Sequence, residues 1–209
     1  AIKTYLEHRS PDLLLHLLEE KKHTVTEEIR HLKQIDNFIS EVQDMTLAVH
    51  DTDIHCPAVA YLEEEKIICS EELSSCKPKT WDQYNDVSIS FYKNKIHSLN
   101  LIGCITLIDN MQKNNFDTFQ ALYAKVTHPH IKKYQIKKAG PYLIGYHQGS
   151  YNTLANTYQT LLQYAKEQGI RLGTYAYEEY LISDLAQKDE QQYITMISME
   201  INELSFQKR

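Results

Sequence analysis

Glycine and proline are scarce, at six and five among 209 residues. No Gly-x-Gly-x-x-Gly and no Gly-x-Ser-x-Gly run occurs, and Gly145, Gly149 and Gly169 do not make a phosphate-cradling loop. The common signatures of nucleotide binding and of serine hydrolases are therefore missing. Cysteine is equally thin. Cys56, Cys69, Cys76 and Cys104 form no disulfide-rich pattern and no Cys-x-x-Cys, so the sequence encodes neither a stapled secreted fold nor a structural zinc site. A reducing cytoplasmic location is expected. His50, His55 and Cys56 cluster, as do His128 and His130, but neither group has zinc-ligand spacing, and no metal or cofactor is expected. Positive charge is not in excess: the net charge is −6, which leaves no basic stripe to grip a phosphate backbone. No apolar run approaches the roughly 20 residues of a membrane span, and no signal-peptide pattern is visible, so no membrane partner is expected.

Tyrosine is what the chain has in plenty, fifteen against five phenylalanines. An aromatic face with a polar tip suits either a half-wet ligand wall or a half-buried strand. Most of the pattern concentrates in residues 140–201. Residues 140–147 are aromatic and β-branched and read as a strand. Ser150 is placed to cap a helix carrying Tyr151, Leu154, Ala155, Tyr158, Leu161, Leu162 and Ala165 at helical spacing, and Gly169 ends it. Residues 173–183 and 193–201 read as two further strands, the second with Tyr193, Thr195, Ile197, Met199 and Ile201 on one face.

The first of those two strands contains Glu178-Glu179 between Tyr177 and Tyr180, although acidic residues are depleted in strands. Alternation puts Ala176, Glu178, Tyr180 and Ile182 on one face and Tyr177, Glu179 and Leu181 on the other. One carboxylate therefore faces inward, unless the strand is a solvated edge or the charge serves to block edge pairing. The same strand, helix, hairpin plan occurs earlier, in Ile67 to Ser70, in a helix through Trp81, Tyr84, Val87 and Phe91 after the cap Thr80, and in strands at 101–105 and 116–126. Pairing Ile68 with Ile144, Phe91 with Tyr164 and Gly103 with Gly173 keeps an offset of about 70–80 residues, which indicates an internal duplication.

In front of the duplication, Ser10 and Pro11 open one helix with Leu13, Leu14, Leu17 and Leu18 as its stripe. Residues 24–50 contain no glycine or proline and carry Val25, Ile29, Leu32, Ile35, Phe38, Ile39, Val42 and Met45 three or four apart. A long helix with so slim a seam needs a partner, most simply the same helix of a second subunit. The expected organisation is residues 1–22 as remnant helices, 23–50 as a dimerisation helix, 51–59 as a linker, and 60–206 as an α+β domain. That domain is a duplicated β-α-β-β antiparallel sheet with repeats near 60–127 and 139–203.

Ile2 to Leu6, then Arg9-Ser10-Pro11 and the leucine-rich run, resemble the end of the DNA-binding region of a MerR-family transcriptional regulator, which a long dimerisation helix follows. Ala139-Gly140-Pro141-Tyr142 through His147-Gln148-Gly149-Ser150-Tyr151, with Tyr177-Glu178-x-Tyr180, resembles the GyrI-like effector-binding domain of the multidrug-sensing members. The resemblance implies a homodimer that binds amphipathic, cationic aromatic small molecules in a groove between the repeats. It assigns the buried acid to Glu178, and Tyr142, Tyr146, Tyr180, Phe91 and Tyr92 are the candidate walls. Val25, Ile29, Leu32, Ile35, Ile39 and Val42 are the candidate dimer seam. Promoter DNA and RNA polymerase are expected partners only of a full-length protein. The family's winged helix-turn-helix would precede Ile2 and is not in this sequence, which reads either as a piece of a longer chain, the favoured reading, or as a natural relative without the DNA-binding part. No catalytic residues are assigned. The alternatives are a GyrI-like hydrolase using Glu178 as a general base, and a dimeric scaffold with an empty groove.

Overall fold

The computed structural model describes residues 9–50, 54, 56–74, 76–94, 102–126 and 132–204. The chain divides into two compact units, Ala1–Glu41 and Val42–Arg209. Helix α1 (Pro11–His50) supplies all that is described of the first and the beginning of the second. Ser10 starts it as expected: its hydroxyl accepts from the Leu13 amide at 3.2 Å and its carbonyl from the Leu14 amide at 3.0 Å. The two helices expected on either side of residue 23 are one. Nothing between them breaks the backbone ladder, and the Thr24 and Thr26 hydroxyls donate to the carbonyls of Glu20 and Lys22 instead of capping a new helix. Leu15, Leu18, Val25, Ile29, Leu32 and Ile39 stand exposed along it, whereas Ile35 and Val42 are half-buried.

The second unit contains an eight-stranded antiparallel sheet. Its strands are β1 (Ala58–Leu62), β2 (Glu65–Cys69), β4 (Gly103–Leu107), β6 (Ala121–Lys125), β7 (Gln135–Lys137), β8 (Gly140–Gln148), β9 (Ile170–Ile182) and β10 (Ile194–Leu204), in the order β1-β8-β10-β9-β4-β6-β2-β7. Strands β3 (Lys77–Pro78) and β5 (Thr118–Phe119) form a separate two-stranded ribbon. The helices are α2 (Trp81–Asn94), the single turn and a half of α3 (Ile108–Gln112), and α4 (Leu154–Gln168).

The order shows the duplication. Reading β2, α2, β4, β6 against β8, α4, β9, β10 gives strand orders β2-β6-β4 and β8-β10-β9, so the repeats meet where β4 pairs with β9. Two strands were not anticipated. β1 precedes the first repeat but pairs with β8 of the second, and β7 precedes the second but pairs with β2 of the first. Each repeat thus lends its leading strand to the other, which ties the two halves together at both edges. β1 also begins inside the segment expected to be a linker.

Local signals explain most element ends. Gly169 closes α4 in the left-handed conformation, φ 66°, with its amide on the Ala165 and Lys166 carbonyls. Thr80 caps α2, its hydroxyl accepting from the Gln83 amide at 3.4 Å. Ser150 does not cap α4. A 3₁₀ turn at Tyr151–Thr153 intervenes, and it is the Ser150 carbonyl that is used, by the Thr153 amide and hydroxyl and by His147.

The sheet is buried on both faces. On one, α4 covers Leu143, Ala176, Ile197 and Met199, and α2 covers Cys104, Leu122 and Ala124. On the other face Ile67, Ile105, Ala121, Tyr123, Tyr142, Ile144 and Tyr177 form one cluster, drawn from strands at both ends of the order, because the sheet curls and packs on itself. Ring pairs Tyr123–Tyr177 and Tyr142–Tyr177, with centroids 5.7 and 6.3 Å apart, fill that curl.

Glu179 lies inside the curl, 9% exposed, where the alternation argument placed it on the face away from Glu178. A buried carboxylate needs partners. It has Lys125 Nζ at 2.9 Å, Lys137 Nζ at 3.0 Å and the Tyr123 hydroxyl at 3.2 Å, and both lysines also reach Glu65 at 2.8 Å. Lys137 is 1% exposed and stands over the Tyr142 and Tyr177 rings. Burial works to raise the Glu179 pKa, but Lys125 and Lys137 outweigh it and bring the group from 4.5 down to about 2.

Two predictions follow from this frame. A Cβ on Gly103 would run into the Tyr123 ring and stand 2.6 Å from the Glu178 carbonyl oxygen. Gly103→Ala is therefore expected to cost about 1–3 kcal/mol in chemical denaturation; an unchanged midpoint would show that β4 and β9 can part without loss. The depressed Glu179 pKa contributes stability that is complete above 4.5 and is lost as pH falls through about 2. The wild type should exceed Glu179→Gln by about 3 kcal/mol at neutral pH, with the gap closing between those two values. Parallel denaturation curves at pH 7 and pH 2.5 measure it.

Candidate functional site

Glu178 sits on the central strand β9, opposite Cys104 of β4 and Ile197 of β10, and its side chain points to the helix-covered face. Its side chain is 0% exposed. Tyr158 of α4 and Lys79, just before α2, cover it. From α4 the Tyr158 hydroxyl donates to Oε1 at 2.9 Å, and two residues along β9 the Tyr180 hydroxyl donates to Oε2 at 3.1 Å. The Lys79 ammonium bridges both oxygens, at 2.5 and 2.8 Å. Tyr84 of α2 packs in the same cluster as Tyr180.

The local structure explains how Lys79 arrives there. It follows the ribbon strand β3, its amide donates to the Asp117 carbonyl at 2.7 Å, and the next residue is the α2 cap. The β3–β5 ribbon thereby fixes the root of a lysine whose tip reaches Glu178. Its side chain is 18% exposed, so the chain enters from the surface and only its tip is withdrawn from water. Burial works against the charge on Lys79, but Glu178 overrides it and holds the ammonium above its ordinary value. Tyr158 and Tyr180 are pushed well above theirs, first by burial and then by neighbours that include Glu178, so both remain neutral donors.

Around this carboxylate the walls are aromatic. Tyr151 stacks edge-on against Tyr180 at 5.2 Å and lies 5.3 Å from Tyr193, and Phe116 stands 6.2 Å from Tyr158. The Thr195 hydroxyl, buried and opposite Tyr180 in the ladder, has no hydrogen-bond partner among the described residues. The end of α1 also comes to this edge: Val42, Met45 and Thr46 line a small cavity of about 20 Å³ with Tyr180, Leu181, Ser183, Leu185 and Ala186. Val42, read from sequence as a seam residue, is half-buried at this edge.

The structure divides the residues expected to line one groove. Glu178 and Tyr180 come together. Tyr142 and Tyr146 do not join them: they belong to the cluster inside the curl, on the face with Glu179. Alternation along β8 is the reason, since Leu143, Gly145 and His147 take the helix face. Phe91 is core beneath α2, packed with Cys104, Phe119 and Leu122, and Tyr92 is 41% exposed on the outer side of that helix. The expectation that only one glutamate faces inward is corrected as well, because both faces of the sheet are interior. Lys79, Tyr84, Tyr151 and Tyr158 were not singled out as site residues. Tyr151 and Tyr158 were already visible as members of the α4 stripe, whereas nothing near Lys79 in sequence marks it.

Among the described residues no three His, Cys, Asp or Glu side chains converge as a metal site. His147 is buried against the Thr157 and Thr153 hydroxyls and the Ser150 carbonyl. His55, His128 and His130 lie outside the described residues. No helix among the described residues is long and apolar enough to cross a membrane.

Comparison with known proteins bears on this arrangement. The chain is 23% identical, over 97% of its length and 74% of the relative's, to the multidrug-efflux transporter 2 regulator of Bacillus subtilis (strain 168). Its fold is similar to that of the EcmrR C-terminal domain, with a TM-score of 0.56 and 18% identity over 71% of this chain and 98% of that one. EcmrR in its DNA complex is similar over 97% of this chain and 76% of that one, again with a TM-score of 0.56 and 18% identity. Residues 69–201, which hold α2, α4 and both glutamates, match the model of the GyrI-like small-molecule-binding domain, and the chain belongs to that family.

Proposed function

We propose that this chain is the effector-sensing and dimerising part of a MerR-type transcriptional regulator. Its effectors are amphipathic aromatic molecules, with cations favoured, and they bind between α2 and α4 over Glu178. The observation that carries the reading is a fully buried carboxylate ringed by Tyr158, Tyr180, Tyr84 and Tyr151. Such a site attracts a delocalised cation through charge and through ring faces, and a flat aromatic body replaces side-chain contacts on both walls. The unpartnered Thr195 hydroxyl on the same face gives a ligand one polar contact to satisfy. A regulator role is supported by the relation to the efflux-transporter regulator across nearly the whole chain, α1 included. In a longer cytoplasmic protein carrying a DNA-binding domain, promoter DNA and RNA polymerase would be the further partners. A hydrolase would need Glu178 to hold a water, and its oxygens are taken by Lys79, Tyr158 and Tyr180.

Dimerisation is assigned to α1. Val25, Leu32 and Ile39 recur every seven residues and are about half exposed or more, with Ile29 beside them and Ile35 between. A seven-residue repeat is the period of a two-helix seam rather than of a domain-facing stripe.

Two measurements test these assignments. Glu178→Gln keeps shape and removes charge. Titration calorimetry should show cationic aromatic ligands weakened by roughly 1–3 kcal/mol and neutral ones of the same shape nearly unchanged. Equal loss for both classes, or none for either, would remove Glu178 from the role of charge partner. Replacing Leu32 and Ile39 together by aspartate should yield monomers in sedimentation, since charges would be buried at the seam. A dimer that survives both changes would place the interface elsewhere.

A further inference from the structure

Glu178 is already paired. Lys79 Nζ takes one acceptor site on each carboxylate oxygen, and the Tyr158 and Tyr180 hydroxyls take one more apiece. A carboxylate offers about four such sites, so this one is saturated. The ammonium lies across both oxygens, where the positive centre of a bound cation would have to stand. With Lys79 in place, the pair presents no net charge to an approaching ligand.

The partners are unequal in mobility. Glu178 is rooted in mid-strand between β4 and β10 and is fully buried. Lys79 is rooted at the surface end of the β3–β5 ribbon and reaches inward along its aliphatic stem. Rotation of that stem returns the ammonium to water without disturbing the sheet. The carboxylate has no such route.

We propose that Lys79 is the specificity-determining residue of this groove, an internal counter-ion that a ligand must replace at Glu178. This rests on the groove being the effector site. Charge at Glu178 separates cations from neutral molecules but is common to all monovalent cations, Lys79 included, so among cations a ligand must supply what the lysine stem cannot, namely aromatic area against Tyr151, Tyr158 and Tyr180. Small hydrated cations, simple ammonium ions among them, bring no such area and are refused. The substrate class is therefore lipophilic aromatic cations, selected by size and apolar surface rather than by charge alone.

The test uses the chain as it stands, with tetraphenylphosphonium as cationic probe and triphenylphosphine oxide as its neutral counterpart. Lys79→Met keeps the stem and removes the charge; Lys79→Arg keeps the charge. Calorimetry should show tetraphenylphosphonium tightened by about ten-fold or more in the methionine variant, the neutral probe within about two-fold, and the arginine variant like wild type. A measurement on the unaltered protein guards against misfolding of the methionine variant. Saturating tetraphenylphosphonium should raise the rate at which an amine-reactive acylating reagent modifies Lys79, while Lys66, on a different strand, is unaffected. If the probe binds but neither its affinity in the methionine variant nor the reactivity of Lys79 changes, the counter-ion role is overturned and the effector site stands. If the probe binds neither protein, the reading of the groove as a cation site fails, and the counter-ion role fails with it.

Discussion

A carboxylate removed from water must be neutralised or lavishly hydrogen-bonded, because the cost of leaving it bare exceeds any single contact that folding offers. This chain carries two of them at adjacent positions of its most central strand, pointing in opposite directions. Much of the surrounding structure is arranged to meet that requirement. On the helix face the ribbon β3–β5 and the start of α2 deliver Lys79, and α4 delivers Tyr158. Inside the curl β6 delivers Tyr123 and Lys125, β7 delivers Lys137, and Glu65 of β2 balances the second lysine. The partners come from five separate places in the chain, so the pair is stable only when the repeats have closed upon one another.

The exchange of leading strands explains why closure is secure. β7 belongs by sequence to the second repeat, but it pairs with β2 at the far edge of the first and brings Lys137 under Glu179 of the second. β1 makes the reciprocal connection to β8. Separating the repeats would break the edge pairings and take Tyr123 and Lys125 of β6 away from Glu179. Gly103 and Gly173, aligned by the duplication, are both places where backbone passes too close for a side chain: one against Tyr123 and β9, the other against Glu200 of β10. The junction between repeats is thus specified by charge and by absence of bulk.

How much of this was visible in the sequence depends on the range of the interaction that fixed it. Short-range signals gave their positions correctly: Ser10 and Pro11 at the start of α1, Thr80 before α2, Gly169 after α4, and the alternation that separates Glu178 from Glu179. Ser150 failed because a 3₁₀ turn used its carbonyl instead of its hydroxyl. The site itself was only half legible. Glu178 and Tyr180 share a strand, and their common face follows from period two. Tyr142 and Tyr146 were grouped with them on the assumption of a single interior face. A sheet buried on both sides has two, and alternation within β8 cannot say which of them matches a given face of β9. Lys79 is 99 positions from Glu178, and Lys125 and Lys137 are 54 and 42 from Glu179. Only strand order brings such pairs together, and the swap of β1 and β7 left no periodic trace.

The two charge networks look alike in sum, yet the number of cations on each carboxylate divides them by role. Glu179 and Glu65 with Lys125 and Lys137 balance to zero, as do Glu178 and Lys79. In the first, Glu179 is shared by two lysines: Lys125, whose side chain is 46% exposed, and Lys137, which is 1% exposed and stands over the Tyr142 and Tyr177 rings. Withdrawal of Lys125 to water would leave Lys137 still paired with Glu179, so that network does not open by the movement of one side chain. In the second, the cation is tethered at the surface and the anion is fixed, so the pair can open on one side only. A binding site needs an interaction that is strong when made and replaceable without unfolding the scaffold. Of the two adjacent glutamates, that condition holds at Glu178, and this asymmetry, more than the aromatic count around either residue, supports the proposal that a ligand enters between α2 and α4.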